Sequence, residues 1–416
     1  MPKVTSWGNT SEKNVEIKND FVKIDGILPI GNNNSYGDCA LPLGNFVIKN
    51  RNFLEDENFI NSNLTLEEYM YKNNKMLYAI PGKSNVTLAG AIASDVHGKD
   101  SYWGGTFIKN IESLLITLPS GENIQVSRDK NPELFYTTFG GFGLTGLIKG
   151  VKFKRNNLKL TNDFYLNTIK GAGLNKLFDS FPVQSGCYVV GWMDLISDDL
   201  KWVISSSLPN KNSEKINLEL VKEPIDINLG MHFLGLDRRN SLKFINLMYF
   251  KSNNSEKIKI KKRKDVFYPI NFLTNTKNIS KGRKIIQIQF SVPIKNQKNI
   301  ISLLEIIKEN FTPLLCSVKR VGTNETDLNL SFIQNGWSFA IDFPFSDFNY
   351  SEIRKFYNLL IENEGKVYLA KDSTLNDKEF HSMYPNLQSW RKVVKNIDPE
   401  NIINSQMSNR LGIKNW

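Results

Sequence analysis

The chain has 416 residues, 40% hydrophobic and 23% charged. That is ordinary globular usage, which excludes wholesale disorder, and at roughly 100–200 residues per domain it points to two or three domains. Lys and Arg exceed Asp and Glu by 53 − 42 = 11, a balance that admits nucleic acid, an anionic membrane surface or a phosphorylated small molecule as partner, and that Lys-rich coding bias would equally produce.

Taken in chain order, the first feature is Gly31-Asn-Asn-Asn-Ser-Tyr-Gly-Asp38. Small polar residues between glycines let the backbone turn tightly and aim successive N–H groups at an anion such as a pyrophosphate; a plain Asn/Gly turn has the same composition. The next is Pro81-Gly-Lys-Ser-Asn-Val-Thr-Leu-Ala-Gly-Ala-Ile-Ala-Ser-Asp-Val-His97-Gly-Lys99. Its Gly82, Gly90, Ala91 and Ala93 leave room for a flat ligand against the backbone, and His97 and Lys99 follow at once. Residues 111–118 read as a strand, Pro119-Ser-Gly-Glu122 as a turn and 123–126 as a returning strand, hence a hairpin. Asn131-Pro132 opens a short helix over 131–139, with Asn131 as its N-cap. Gly140-Gly-Phe-Gly-Leu-Thr-Gly146 precedes a strand at 144–154 and does not link a strand to a helix, so it is not a Rossmann fingerprint. From 157 to 364 the texture is α+β with an antiparallel sheet. Strands are expected at 187–192 and 284–292, and helices at 297–310 and 350–363 from their apolar spacing. Lys251 to Lys264 is the concentrated basic run and reads as a loop. A strand at 367–370 and helical pieces ending at 410–413 complete the chain, with Lys371-Asp372 at the strand's end.

No apolar run approaches the ~20 residues of a membrane span, and the N-terminus has no apolar signal core, so neither a span nor a cleaved secretory peptide is expected. Three scattered cysteines (Cys39, Cys187, Cys316) and three histidines (His97, His232, His381) give no disulfide framework and no metal-ligand spacing. No metal is expected.

These constellations in this order resemble the FAD-dependent oxidases of the vanillyl-alcohol-oxidase type. The likeness includes Ser35-Tyr-Gly-Asp, Pro81-Gly, Gly90-Ala-Ile-Ala, Asp95-Val-His-Gly-Lys, Glu133-Leu-Phe and Gly143-Leu-Thr-Gly. In the other half it includes Gln287-Ile-Gln, Gly336-Trp, Asp342-Phe-Pro, Ala370-Lys-Asp-Ser and His381-Ser-Met-Tyr-Pro. The resemblance implies a two-domain α+β fold: an FAD-binding domain from 1–159, completed by a C-terminal segment 365–416, with an antiparallel-sheet cap over the substrate at 160–364. It implies FAD contacts at Asn34, Ser35, Tyr36, Gly37, Asp38, Gly82, Thr87, Leu88, Gly90, His97, Gly98, Leu147 and Tyr368. It implies substrate contacts at Lys99, Trp192, Gln287, Gln289, Lys319, Ser338 and Lys371, and catalytic roles for Lys371, Tyr36 and His97. Asn34-Ser35 stands where many relatives have a flavin-tethering His, so the FAD is expected to be non-covalent. Ala340 and Ser338 replace a Cys and an Asn of similar enzymes.

The activity implied is oxidation of a sugar secondary alcohol, the 2′-hydroxyl of a polyprenylphosphoryl-β-D-ribose, by hydride transfer to flavin N5. Lys371 would orient the hydroxyl or stabilise charge on the flavin; the base stays open between Tyr36 and His97. Lys319 and Lys99 suit phosphate or sugar oxygens. Gln287 and Gln289, two apart on one strand, face the same side. A short-chain NAD(P)H-dependent reductase would be the functional partner, and the expected place is the cytoplasm, peripheral at the inner membrane, with the basic run on anionic lipid. An aldonolactone- or alditol-type oxidase of soluble sugars is the second reading. A nucleic-acid-binding protein is the third, and it lacks interleaved basic and aromatic clusters.

Overall fold

The structure is a computed structural model that describes residues 1–49, 57–156, 158–210, 238–253, 258–268, 284–323, 325 and 330–416. It is α+β. Its largest element is an eight-stranded sheet in the order Lys259–Lys262, Asp163–Ala172, Lys201–Pro209, Tyr188–Met193, Leu315–Val321, Gly336–Pro344, Ile285–Pro293, Lys366–Val367. Every neighbouring pair in it is antiparallel.

The central strands show why the sheet has two unlike faces. Side chains alternate along a strand. Ile286, Ile288, Phe290 and Val292 are buried, as are Cys316 and Val318, and Phe339, Ile341 and Phe343. All join the core formed with the Ile300–Asn310 and Tyr350–Glu362 helices, through residues such as Leu303, Leu304, Phe356 and Leu360. The intervening residues are polar or small: Gln287 and Gln289, Ser317 and Lys319, Ser338, Ala340 and Asp342. Cross-strand register sets them in rows, Gln287 beside Asp342 and Gln289 beside Ala340, which in turn lies beside Ser317.

A four-stranded antiparallel sheet, in the order Ile60–Asn61, Leu147–Phe153, Ile111–Thr117, Asn123–Ser127, belongs to a second core with the Leu66–Asn73, Leu88–Ala93 and Pro132–Thr138 helices. A small parallel sheet of Glu16–Lys18, Phe46–Ile48 and Leu28–Pro29 precedes it. The last helices, Asp377–Met383, Leu387–Ile397 and Gln406–Arg410, return to this N-terminal part: Trp390 Nε1 donates to the Thr137 carbonyl at 3.1 Å.

The 111–126 hairpin forms as expected, with Leu114 opposite Val126. Four local readings are corrected. Asn131 does not cap its helix; its φ is +52°, and its side chain donates to the Gln125 carbonyl instead. The strand expected from 144 starts at Leu147, because Gly143 and Gly146 hold positive φ. A Cβ on Gly146 would lie 2.5 Å from the Thr117 carbonyl oxygen. Only Lys366–Val367 extend; 368–371 form a turn closed by Lys371 N–H to Tyr368 C=O at 2.9 Å. The basic run is not a loop: Lys251 ends the Arg239–Ser252 helix, Lys259–Lys262 add an edge strand, and Lys264 lies in the Arg263–Phe267 helix. Its residues 254–257 lie outside the described residues.

One ion pair binds the sheet's edge region to the N-terminal part. Arg263 Nη1 donates to both Glu67 oxygens at 2.6 Å, Tyr268 Oη donates to the same carboxylate at 2.9 Å, and both charged side chains are 2% exposed. Removing one partner strands a buried charge. Arg263→Ala is therefore expected to cost about 3–5 kcal/mol of unfolding free energy, read as a lowered midpoint in chemical denaturation.

Candidate active site

A cavity of about 250 Å³ lies against the polar face of the large sheet. Four stretches build it: the strands, through Gln287, Gln289, Ser317, Lys319 and Ala340; the 368–371 turn, through Tyr368 and Lys371; the loop from Gly31 to Tyr36; and residues 81–97.

The loop is held from three sides. Trp7 N–H donates to Ser35 C=O at 2.8 Å, Gly8 N–H to Tyr36 C=O at 3.2 Å with Gly8 itself accepting from Ile285 N–H at 2.8 Å, and Tyr36 N–H donates to Ala370 C=O at 3.1 Å. Gly37 is required where loop meets turn, since a Cβ there would lie 1.6 Å from the Asp372 carbonyl oxygen. Arg410 then clamps Asp38 with two hydrogen bonds, at 2.7 and 2.9 Å, and reaches Asp372 at 2.9 Å.

Of the expected residues, Asn34, Ser35, Tyr36, Gly82, Thr87, Gly90, His97, Gln287, Gln289, Lys319, Tyr368 and Lys371 line the cavity. The others do not, each for a visible reason. Gly37 and Asp38 are taken up by the contacts just described. Leu88 and Leu147 are core residues. Gly98 packs on the Asp100 carboxylate and Ile80 backbone. The Lys99 ammonium donates to the Val266 carbonyl. Trp192 packs on Tyr249, ring centroids 4.7 Å apart. Ser338 stands one layer back, its Oγ accepting from Gln289 Nε2 at 3.1 Å. Sequence reasoning missed Trp7, Lys83, Ser317 and Asp342. Trp7 meets the Tyr36 ring at 4.2 Å, and Lys83 lies over Trp7 and donates to Asn34 Oδ1 at 3.2 Å. Asp342 accepts from Gln287 Nε2 at 2.5 Å; its spacing of two from Ala340 was the available signal.

Burial and crowding of cations set the electrostatics. Desolvation, then Lys319, lowers Lys99 to about 7. Desolvation lowers Lys319 to about 8. Lys371 lies 4.1 Å from the Tyr36 ring centroid and is lowered to about 7, by burial first and with Asp342 opposing. Asp342 itself is raised to about 6 by burial. His97 is held well below 6.5 by burial, then by Lys319 and Lys371. The Gln289 amide that donates to Ser338 also faces His97 Nε2 at 2.9 Å. Nε2 is thereby the acceptor, and the ring proton sits on Nδ1, which is buried without a protein partner.

These residues fit a flavin dinucleotide. Among the described residues, the N–H groups of 32–35 make no backbone hydrogen bond. Asn33 Oδ1, Asn85 Oδ1 and His97 Nδ1 are buried polar atoms without partners. The backbone amides of 32–35 and the Lys83 ammonium suit a pyrophosphate, which only accepts, whereas the two Asn oxygens suit a donor such as a ribose hydroxyl. Gly90, Ala93 and Tyr368, whose hydroxyl donates to the Ser94 carbonyl at 2.7 Å, suit a flat ring system.

The chain is an FAD-dependent oxidase acting on a CH–OH donor. A profile of the D-arabinono-1,4-lactone oxidase family matches residues 277–411. Decaprenylphosphoryl-beta-D-ribose oxidase of Mycolicibacterium smegmatis is similar at 23% identity over 411 residues, covering 93% of this chain and 89% of that one. An uncharacterised protein of Streptomyces coelicolor is similar at 20% identity, covering 80% and 95%.

His97 is expected to stay neutral with its proton on Nδ1 between about pH 5.5 and 8, where an unperturbed imidazole titrates. Ring 1H–15N spectra measure this; a midpoint near the ordinary value would contradict the geometry.

Proposed function

We propose that the enzyme oxidises the 2′-hydroxyl of a polyprenylphosphoryl-β-D-ribose to the 2′-keto sugar. The observation that carries this reading is the convergence on one cavity of Gln287, Gln289 and Lys319 from the polar sheet face and Lys371 from the 368–371 turn, which suits an oxygen-rich anionic ligand. The similarity to a decaprenylphosphoryl-ribose oxidase over nearly the whole chain supports it.

In this reading residues 1–159 and 365–416 hold FAD, and 160–364 cover the substrate. Asn34, Ser35 and Lys83 hold the pyrophosphate, while Tyr368, Gly90 and His97 line the flavin ring. Attachment is non-covalent: no His stands in the 31–38 loop, and burial pushes the neighbouring Cys39 thiol up to about 12, which leaves it a poor nucleophile. Bound FAD supplies the acceptor for the hydride of the CH–OH carbon. Lys371 Nζ, whose proton affinity burial lowers to about 7, takes the hydroxyl proton. Tyr36 and His97 are poorer bases here. The phenol is held well above 10 by burial and by Asp342, and the one imidazole nitrogen with a lone pair is occupied by Gln289. Lys319 binds phosphate or sugar oxygens.

The prenyl tail has a lipid surface to come from. Phe244 and Met248 on the Arg239–Ser252 helix, and Ile258 and Ile260 beside it in the chain, are each at least half exposed, among Lys243, Lys251, Lys259 and Lys261. No helix among the described residues is long and apolar enough to cross a membrane. We read this surface as a peripheral contact with anionic lipid on the inner face of the membrane. A short-chain NAD(P)H-dependent reductase would consume the keto product.

A soluble-sugar oxidase is the second reading, favoured by the lactone-oxidase match at 277–411. The purified protein is expected to be yellow and to release its flavin on acid denaturation. Polyprenylphosphoryl ribose should bleach the flavin under anaerobic conditions while free sugars and aldonolactones do not; the reverse preference selects the second reading. Lys371→Ala is expected to keep the flavin spectrum and lose about 10²-fold or more in turnover.

The membrane contact is read separately. Sedimentation with phosphatidylglycerol vesicles should be lost at high salt and in the Phe244→Asp/Met248→Asp double variant. Equal sedimentation with purely zwitterionic vesicles would contradict a charge-driven contact.

A further inference from the structure

Asp342 is a buried carboxylate bonded to the cavity-lining Gln287, and neither the flavin nor the substrate reading uses it. It sits directly across the sheet from Gln287 and accepts that side chain's amide at 2.5 Å. Gln287 lines the cavity; Asp342 does not. On the cavity side, Lys371 is held over the Tyr36 ring by the turn that ties 368–371 to the same strand, through Tyr368 N–H to Gln289 C=O at 2.7 Å. Tyr36 is itself tied to that turn through Ala370. Carboxylate, amide, phenol and ammonium thus meet where three chain segments are cross-braced.

We propose that Asp342 is a positioning residue that orients Gln287 and sets the charge of Lys371, and through it the pH range in which the enzyme works. This rests on Lys371 acting in the proposed site. The charged and titratable groups facing Lys371 are Asp342, Lys83, Lys319, the Cys39 thiol, the Tyr36 phenol and the His97 imidazole. Those facing Asp342 are Lys371, Tyr36 and the Cys316 thiol. Against two cations, Asp342 is the carboxylate that favours the charged form of Lys371. Removing it must lower the proton affinity of Lys371. A base is active in its neutral form, so the acid limb of the rate profile must then move to lower pH.

The test is Asp342→Asn, which preserves shape and an acceptor for Gln287. In [ε-13C]lysine NMR of the flavin-loaded enzyme, with the Lys371 signal assigned by its loss in Lys371→Arg, the midpoint should fall by about one pH unit. That is about ten-fold more neutral amine well below the midpoint. The acid limb of flavin reduction should move with it, and Asp342→Glu should restore both. A lowered rate with unmoved midpoint and limb would show a merely structural role and overturn the proposal. If Asp342→Asn does not fold, the wild type decides: the Lys371 curve should show a second inflection near the Asp342 midpoint of about 6. A single simple curve overturns the proposal. The NMR readings need no substrate. Failure of lipid-linked ribose to reduce the flavin, with the midpoint shift intact, removes the substrate reading and leaves this one standing.

Discussion

The two-residue alternation of the large sheet is the constraint on which the rest of the molecule depends. Its apolar half, from Ile286 and Phe290 to Phe339 and Phe343, must be covered, and the helices carrying Leu303 and Phe356 cover it. That fixes the register of the strands, because a slip by one residue would send Gln287, Gln289 and Lys319 into the core. The same packing that stabilises the fold therefore aims a row of polar groups at the other side. No separate device is needed to assemble the cavity wall.

The lysines in and around that wall are costly to keep. Lys99, Lys319 and Lys371 are largely buried cations, and each loses proton affinity for it. Such a cluster is stable only where partial neutralisation, a carbonyl, an aromatic face or a carboxylate offsets the charge. Each lysine has one such answer: the Val266 carbonyl for Lys99, the field of Asp100 for Lys319, and the Tyr36 ring with Asp342 for Lys371. An anionic group bound in the cavity would complete this balance.

Much of this was legible in the sequence where the controlling rule is local. Periodicity gives the hairpin at 111–126, the helix at 350–362 and the shared face of Gln287 and Gln289. The likeness to flavin oxidases gathers twelve expected residues around the cavity. The remainder depends on partners distant in the chain. Lys99 is drawn off by a carbonyl 167 residues away, and Asp38 by Arg410, 372 residues away. The basic run looked like a loop because its charges hide the alternation Ile258, Ile260, and because pairing with 163–166 decides its conformation. Asn131 illustrates the other kind of failure: its residue type suits a cap, yet its left-handed backbone turns the side chain elsewhere.

The loop, the turn and the chain's end make one mechanical unit, which explains why the fold returns to its beginning. Asp38 and Asp372 are carboxylates that would repel each other; Arg410 bridges them, and its Nη1 also donates to the Leu375 carbonyl at 2.6 Å. Asp372 uses its other oxygen to accept from the Thr374 and Leu375 N–H groups. The clamp thus fixes the 31–38 loop, with its free N–H groups, and the turn bearing Lys371, relative to one another. If these two elements came from independent bodies, the loop and Lys371 would move separately, and a rise of about 1 Å in their separation would degrade any reaction that needs both. Bridging Asp38 and Asp372 through Arg410 removes that freedom where the loop meets the turn.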